Sequence, residues 1–94
     1  MNLITFTFWI DRNQEEDYIT ESEELKEFWD KNEVVVSLFR DTNEESKFYQ
    51  IFLTEKNLEQ ITELIKNEEK AKRAFDLIKQ AGGKVLVSSF EQIY

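Results

Sequence analysis

The stretch Val34–Leu53, VVVSLFRDTNEESKFYQIFL, constrains this chain most. It reads as two β-strands joined by a polar turn from Arg40 to Ser46. Large apolar side chains occur at both parities of both strands. Successive residues of a strand point to opposite faces. A hairpin of this kind therefore needs cover on two sides, and the rest of the chain must be read as what supplies it.

The remaining elements follow from periodicity. Residues 3–10, LITFTFWI, alternate with period two and form a strand. Asn13 followed by Glu16 resembles a capping box and opens a helix over Gln14–Lys31. Its apolar stripe is Tyr18, Ile19, Leu25, Phe28 and Trp29, with Ser22 lying between them. Strands follow over Val34–Phe39 and Phe48–Leu53, and their short connection makes them antiparallel neighbours. Asn57 with Gln60 caps a short helix, Leu58–Lys66. A further helix, Glu68–Ala81, buries Ala71, Ala74, Phe75 and Ile78. Gly82-Gly83 stops it, and residues 84–90 form the last strand. The order β-α-β-β-α-α-β is that of a ferredoxin-like α+β fold with a divided second helix. With 94 residues, the chain is a single domain over 1–94.

Sorting the strands by parity, with no β-bulge assumed, gives two faces. One holds Ile4, Phe6, Phe8, Ile10, Val34, Val36, Leu38, Tyr49, Ile51, Leu53, Val85 and Val87, and is expected beneath the helices. The other holds Leu3, Thr5, Thr7, Trp9, Val35, Ser37, Phe39, Phe48, Gln50, Phe52, Leu86, Ser88 and Phe90. It carries five aromatic rings and no charge. Monomers rarely leave such a patch in water. A second copy is the expected cover, with Trp9, Phe39, Phe48, Phe52 and Phe90 at the interface. Two sheets face to face would close a dimeric α+β barrel.

Composition excludes several functions. The chain has no cysteine and no histidine, which removes disulfides, thiolate metal sites, the usual haem ligand and the commonest base near neutral pH. No metal site and no cofactor are expected. No apolar run reaches the roughly 20 residues of a membrane helix, and the N-terminus lacks a signal-peptide pattern. The expectation is a soluble cytoplasmic protein. The net charge is −8, and most of it lies over residues 11–33 as the solvated side of the first helix. Basic residues do not cluster as a nucleic-acid surface requires.

Residues 38–61 resemble a known family. Phe39-Arg40-Asp41 opens a polar turn. Lys47-Phe48-Tyr49-Gln50-Ile51-Phe52 follows as a strand, and Asn57-Leu58-Glu59-Gln60-Ile61 opens a short helix. This pattern is similar to the antibiotic-biosynthesis monooxygenase-like domains. The resemblance implies a dimeric α+β barrel. It also implies a pocket between sheet and helices, where a small aromatic substrate is oxidised without a cofactor while side chains assist its deprotonation and stabilise an oxyanion. The family's acidic or tryptophan positions after the third strand read here as Leu53, Thr54 and Glu55.

The residues offer candidates for such a pocket. Trp9 with Thr5 and Thr7 could stack on and hydrogen-bond a planar ligand. Tyr49 could serve as acid or base. Gln50 needs partners if buried, or a ligand. Arg40 could bind an anionic group, with Asp41 as its simpler partner. Two readings follow. The first is a homodimer that binds, or oxidises, a small apolar or aromatic molecule. The alternative is a non-enzymatic dimeric interaction or regulatory module.

Overall fold

The computed structural model describes residues 1–80 and 84–94. Eight elements follow one another: β1 (Asn2–Trp9), α1 (Arg12–Glu24), α2 (Lys26–Lys31), β2 (Val35–Arg40), β3 (Lys47–Thr54), α3 (Leu58–Asn67), α4 (Glu69–Gln80) and β4 (Val85–Glu91). The strands form one antiparallel sheet in the order β2-β3-β1-β4. The helices pack on one side of it, so the α+β ferredoxin-like reading holds. No helix is long and apolar enough to cross a membrane, among the described residues.

The expected first helix is two helices. At Leu25 the backbone takes φ −89° and ψ −5°, and its N–H donates to the Ser22 carbonyl at 3.2 Å. This tighter i→i−3 bond redirects the chain. No glycine or proline marks the break. Leu25 is buried there, and the new direction lays Trp29 against Phe52 with ring centroids 5.0 Å apart. The helix also begins earlier than Asn13 suggested. Its N-cap is Asp11, whose side chain makes no capping bond.

The capping box at α3 forms as expected. The Gln60 N–H donates to the Asn57 side chain at 2.9 Å, and the Asn57 N–H donates to the Gln60 side chain at 2.9 Å. Ala71 and Ala74 are buried, and their small side chains let α4 lie close to α1. The expected helix end at Ala81 and the stop at Gly82-Gly83 lie outside the described residues.

The face assignment is correct for β1 and β2 and inverted for β3. Directly opposed residues of antiparallel strands share a face. Phe8 pairs with Phe48, Phe6 with Gln50 and Ile4 with Phe52. Because Ile4, Phe6 and Phe8 lie under the helices, so do Phe48, Gln50 and Phe52, and all six are buried. Tyr49, Ile51 and Leu53 face the open side instead. Both parities of β3 are apolar, so its pattern alone could not choose between them. The choice comes from the loop after β2. Asp41 N–H donates to the Lys47 carbonyl at 2.9 Å, and Ser46 adopts φ 66°. That geometry fixes where the strand re-enters the sheet.

The core follows from this register. Phe6 meets Phe52 edge-on at 5.3 Å, and Phe8 meets Tyr18 at 5.1 Å. A polar clamp closes the end of β3. Lys56 Nζ donates to the Asn32 carbonyl at 2.6 Å, and Thr54 Oγ1 donates to the Glu33 carbonyl at 3.3 Å. Strand β4 is covered least. Val87, on this edge strand, shares the helix side of the sheet with Phe6 but is 46% exposed.

Two substitutions test this packing. Phe52→Ala should cost about 3–5 kcal/mol, as removal of a buried ring does. Asn57→Ala should cost about 1 kcal/mol through the lost cap. Urea unfolding reads both. A Phe52→Ala loss under about 1 kcal/mol would contradict the observed facing of β3.

Candidate active site

The six residues expected to share one pocket divide between the two faces of the sheet. Thr5, Thr7, Trp9 and Tyr49 lie on the open side. Gln50 and Arg40 lie on the helix side. The division follows from the register of β3, which takes Gln50 away from Trp9.

On the helix side, a cavity of about 480 Å³ opens between α1 and the β2–β3 half of the sheet. Ile19, Val36, Leu38 and Phe48 form apolar walls, and Gln50, Ser22 and Ser37 provide polar groups. Lys26, Glu23 and Arg40 also line it. Arg40 forms an ion pair with Glu15 of α1, and its guanidinium stands 5.5 Å from the centre of the Phe48 ring. The ion pair joins β2 to α1. Asp41, the partner expected for Arg40, is instead bound by Tyr49.

Gln50 is buried, and its amide is oriented by its neighbours. Oε1 accepts from the Tyr18 hydroxyl at 2.8 Å and from Ser22 Oγ at 3.2 Å. Nε2 donates to the Ser37 carbonyl at 3.1 Å. The Ser37 carbonyl can only accept, so the amide atom facing it is the nitrogen and the one facing the two hydroxyls is the oxygen. An amide nitrogen carries two protons. Among the described residues, Ser37 is the one partner of Nε2, so the second N–H has no partner in the protein.

Tyr18 and Ser22 are functional neighbours that the sequence reading placed in a helix stripe without a role. A signal existed: a serine inside an apolar stripe, one turn from a tyrosine, requires a polar partner on the sheet. Burial pushes the Tyr18 hydroxyl far above the ordinary tyrosine pKa, and the adjacent Ser22 hydroxyl offsets part of that rise. Tyr18 is therefore a fixed donor at neutral pH, unsuited to accepting a proton.

The open-side set has a different character. Tyr49 donates to Asp41 Oδ2 at 2.5 Å. The Tyr49 hydroxyl, together with the N–H groups of Asn43 and Glu44, pulls the Asp41 pKa down, while the carboxylate pushes the Tyr49 pKa up. Trp9 donates its indole N–H to Glu44. Lys47 lies between the two rings, 5.3 Å from Trp9 and 5.6 Å from Tyr49. Burial works against the Lys47 charge, but Tyr49, Glu44 and Asp41 outweigh it and its pKa rises. These groups satisfy one another. They fasten the β2–β3 loop to the end of β1.

Thr5 and Thr7 are half-buried beside Ile51 and Tyr49, their partners across β3. Around them Val35, Phe39, Leu53, Leu86 and Phe90 are exposed. Phe48 and Phe52, expected among the interface rings, are core residues, while Trp9, Phe39 and Phe90 do lie on this face. The correction leaves the face apolar, because Ile51 and Leu53 take the places of the two phenylalanines.

Tyr18 makes the protein's stability pH-dependent at the alkaline end. Its folded pKa exceeds its unfolded value near 10, so the unfolded state loses the proton first. The stabilisation is complete below about pH 10 and declines above it, approaching about 1.4 kcal/mol per pH unit. Urea unfolding at pH 9 and pH 11 should show this decline, and Tyr18→Phe should reduce it by that slope. Equal slopes in the two proteins would contradict the burial of the phenol.

No family model matches the sequence, and no curated protein matches it. Solved structures do. An antibiotic biosynthesis monooxygenase superposes with TM-score 0.78 at 15% identity, covering 100% of both chains. A candidate antibiotic biosynthesis monooxygenase from Deinococcus radiodurans gives TM-score 0.73 at 11% identity, over 98% of this chain and 92% of that one. A Bacteroides thetaiotaomicron protein described as of unknown function, and as a candidate oxidoreductase, gives 0.70 at 16% identity, over 97% and 95%. Over its whole length, this chain has the fold of the antibiotic biosynthesis monooxygenase-like proteins.

Proposed function

We propose that this protein is a homodimer whose helix–sheet cavity binds a small planar aromatic molecule bearing an oxygen at its edge, and that it oxidises this molecule with dioxygen and no cofactor. The observation that carries the reading is Gln50. Its Oε1 is held by Tyr18 and Ser22, so its second Nε2–H is available at the cavity of about 480 Å³ with apolar walls. A preset donor in an apolar pocket selects a ring with a carbonyl or phenolic oxygen. It also stabilises negative charge that develops on that oxygen when the ring is deprotonated. In the reaction, a ring CH2 becomes a carbonyl. One atom of dioxygen enters the product, the other leaves as water, and the substrate supplies the electrons. The fold likeness to monooxygenases supports this chemistry.

The dimer rests on the open sheet face. Val35, Phe39, Leu53, Leu86 and Phe90 are each more than a third exposed there. Strand β4 is exposed along most of its length. A second copy packed sheet to sheet would cover these side chains and complete the barrel. The acidic surface of α1 would remain in solvent.

One observation favours a second reading, a binding or regulatory module without turnover. Tyr18, the buried ionisable group behind the cavity, is shifted away from neutral pH and holds its proton. The cavity would then bind its ligand through the amide alone.

Two measurements separate these readings. Sedimentation equilibrium at micromolar concentration should give twice the 11.3 kDa chain mass. A stable monomer would defeat the dimer, and an unchanged dimer after Phe39→Asp with Phe90→Asp would defeat the open face as its interface. Oxygen uptake with a panel of quinols, anthrones and aromatic acids should show one dioxygen consumed per product. Gln50→Leu should lower the rate at least tenfold, in the range seen on removal of an oxyanion donor. Saturable binding of these compounds without oxygen uptake would favour the module.

A further inference from the structure

Behind the Gln50 amide lies a second, smaller void of about 30 Å³. Its lining includes Phe6, Trp29, Phe52, Ala71, Ala74 and Ile78, all of them buried apolar residues. Gln50 and Ser22 line both this void and the outer cavity. Tyr18 lines only the inner one. The hydrogen-bonded group of Tyr18, Ser22 and Gln50 therefore stands between two chambers. The chambers differ in character. Both open to solvent, but only the outer one carries charged residues. The inner one has polar side-chain atoms only from Tyr18, Ser22 and Gln50, and the two hydroxyls there are both bound to the amide oxygen. An apolar void of this size, without two or more free polar partners, does not hold a water molecule.

We propose that Gln50, held in place by Tyr18 and Ser22, is a partition that sets how deep a ligand can enter, and so determines specificity by size. This inference rests on the reading of the outer cavity as the ligand site. In the native protein a ring stops at the amide, with its oxygen on Nε2 and its body between Ile19, Val36 and Leu38. Beyond the amide the space is apolar and walled by α4, where two alanines in place of larger side chains leave the void. Shortening Gln50 joins the chambers. A second fused ring then finds apolar cover against Ala71 and Ala74, where the native protein admits none. The polar wall thus favours small, oxygen-edged rings over extended apolar ones.

The test uses 2-naphthol as probe and methyl-resolved NMR of the full chain as readout. In the native protein, 2-naphthol should shift the methyl signals of Ile19, Val36 and Leu38 and leave those of Ala71 and Ala74 in place. In Gln50→Ala, both sets should shift and the dissociation constant should fall about tenfold, as burial of a further ring implies. Gln50→Leu, which keeps the side chain's bulk, should leave Ala71 and Ala74 silent. Movement of Ala71 and Ala74 in the native protein would overturn the partition, as would their silence in Gln50→Ala. Should Gln50→Ala not fold, Gln50→Ser shortens the same side chain and keeps a polar group on the wall. The Ala71 and Ala74 signals should then respond in the same direction, and silence there overturns the proposal. A native protein in which Ile19, Val36 and Leu38 do not respond would instead defeat the ligand site. The partition is then still decided by Ala71 and Ala74 in the variants.

Discussion

The pairing of β3 with β1 is the constraint on which the rest depends. Phe8 opposite Phe48, Phe6 opposite Gln50 and Ile4 opposite Phe52 place one polar side chain in an otherwise apolar row. A buried amide without partners would cost about 1–3 kcal/mol per lost bond. The helix layer removes that cost. Tyr18 and Ser22 bring two hydroxyls to Oε1, and the neighbouring strand brings the Ser37 carbonyl to Nε2. The two hydroxyl bonds join α1 to the sheet, and all three orient the amide and give the cavity its floor. Fold and site meet in one side chain.

The two faces of the sheet solve different problems. On the helix side, apolar burial is nearly complete around the Phe6–Phe52–Trp29 contacts, and the exception is the cavity at the β2–β3 edge. On the open side, polar groups at one end of the sheet satisfy each other. Trp9, Glu44, Lys47, Tyr49 and Asp41 form a closed set that ties the loop down. Beyond that set the face is apolar and uncovered. This contrast is why the open face reads as an association surface and the helix side as a binding site. Tyr49 is engaged by Asp41 and cannot serve the helix-side cavity from where it stands.

Most of the fold was legible in the sequence. Alternation over residues 3–10, the cap at Asn57 with Gln60, and the apolar spacing in α3 and α4 each point to one element, and each is found. The break at Leu25 was not legible, because it arises from packing of Leu25 and Trp29 and leaves no breaker residue. For the site, the sequence picked out Gln50 and Arg40 but grouped them with Trp9 and Tyr49. It passed over Tyr18 as a partner, since a helix stripe reports burial and is silent on which sheet residue it meets.

By itself, then, the sequence determined the element order apart from the break in the first helix, the antiparallel hairpin, the acidic outer surface of α1 and the existence of two apolar sheet faces. These depend on local periodicity and on residue type. Only the tertiary structure decided which face of β3 turns inward. The physical reason is that Phe48, Gln50 and Phe52 are as suitable for burial as Tyr49, Ile51 and Leu53. The turn at Asp41–Lys47 and the hydroxyls of α1, contacts distant in sequence or set by loop geometry, settle the register and place Gln50 beneath the helices.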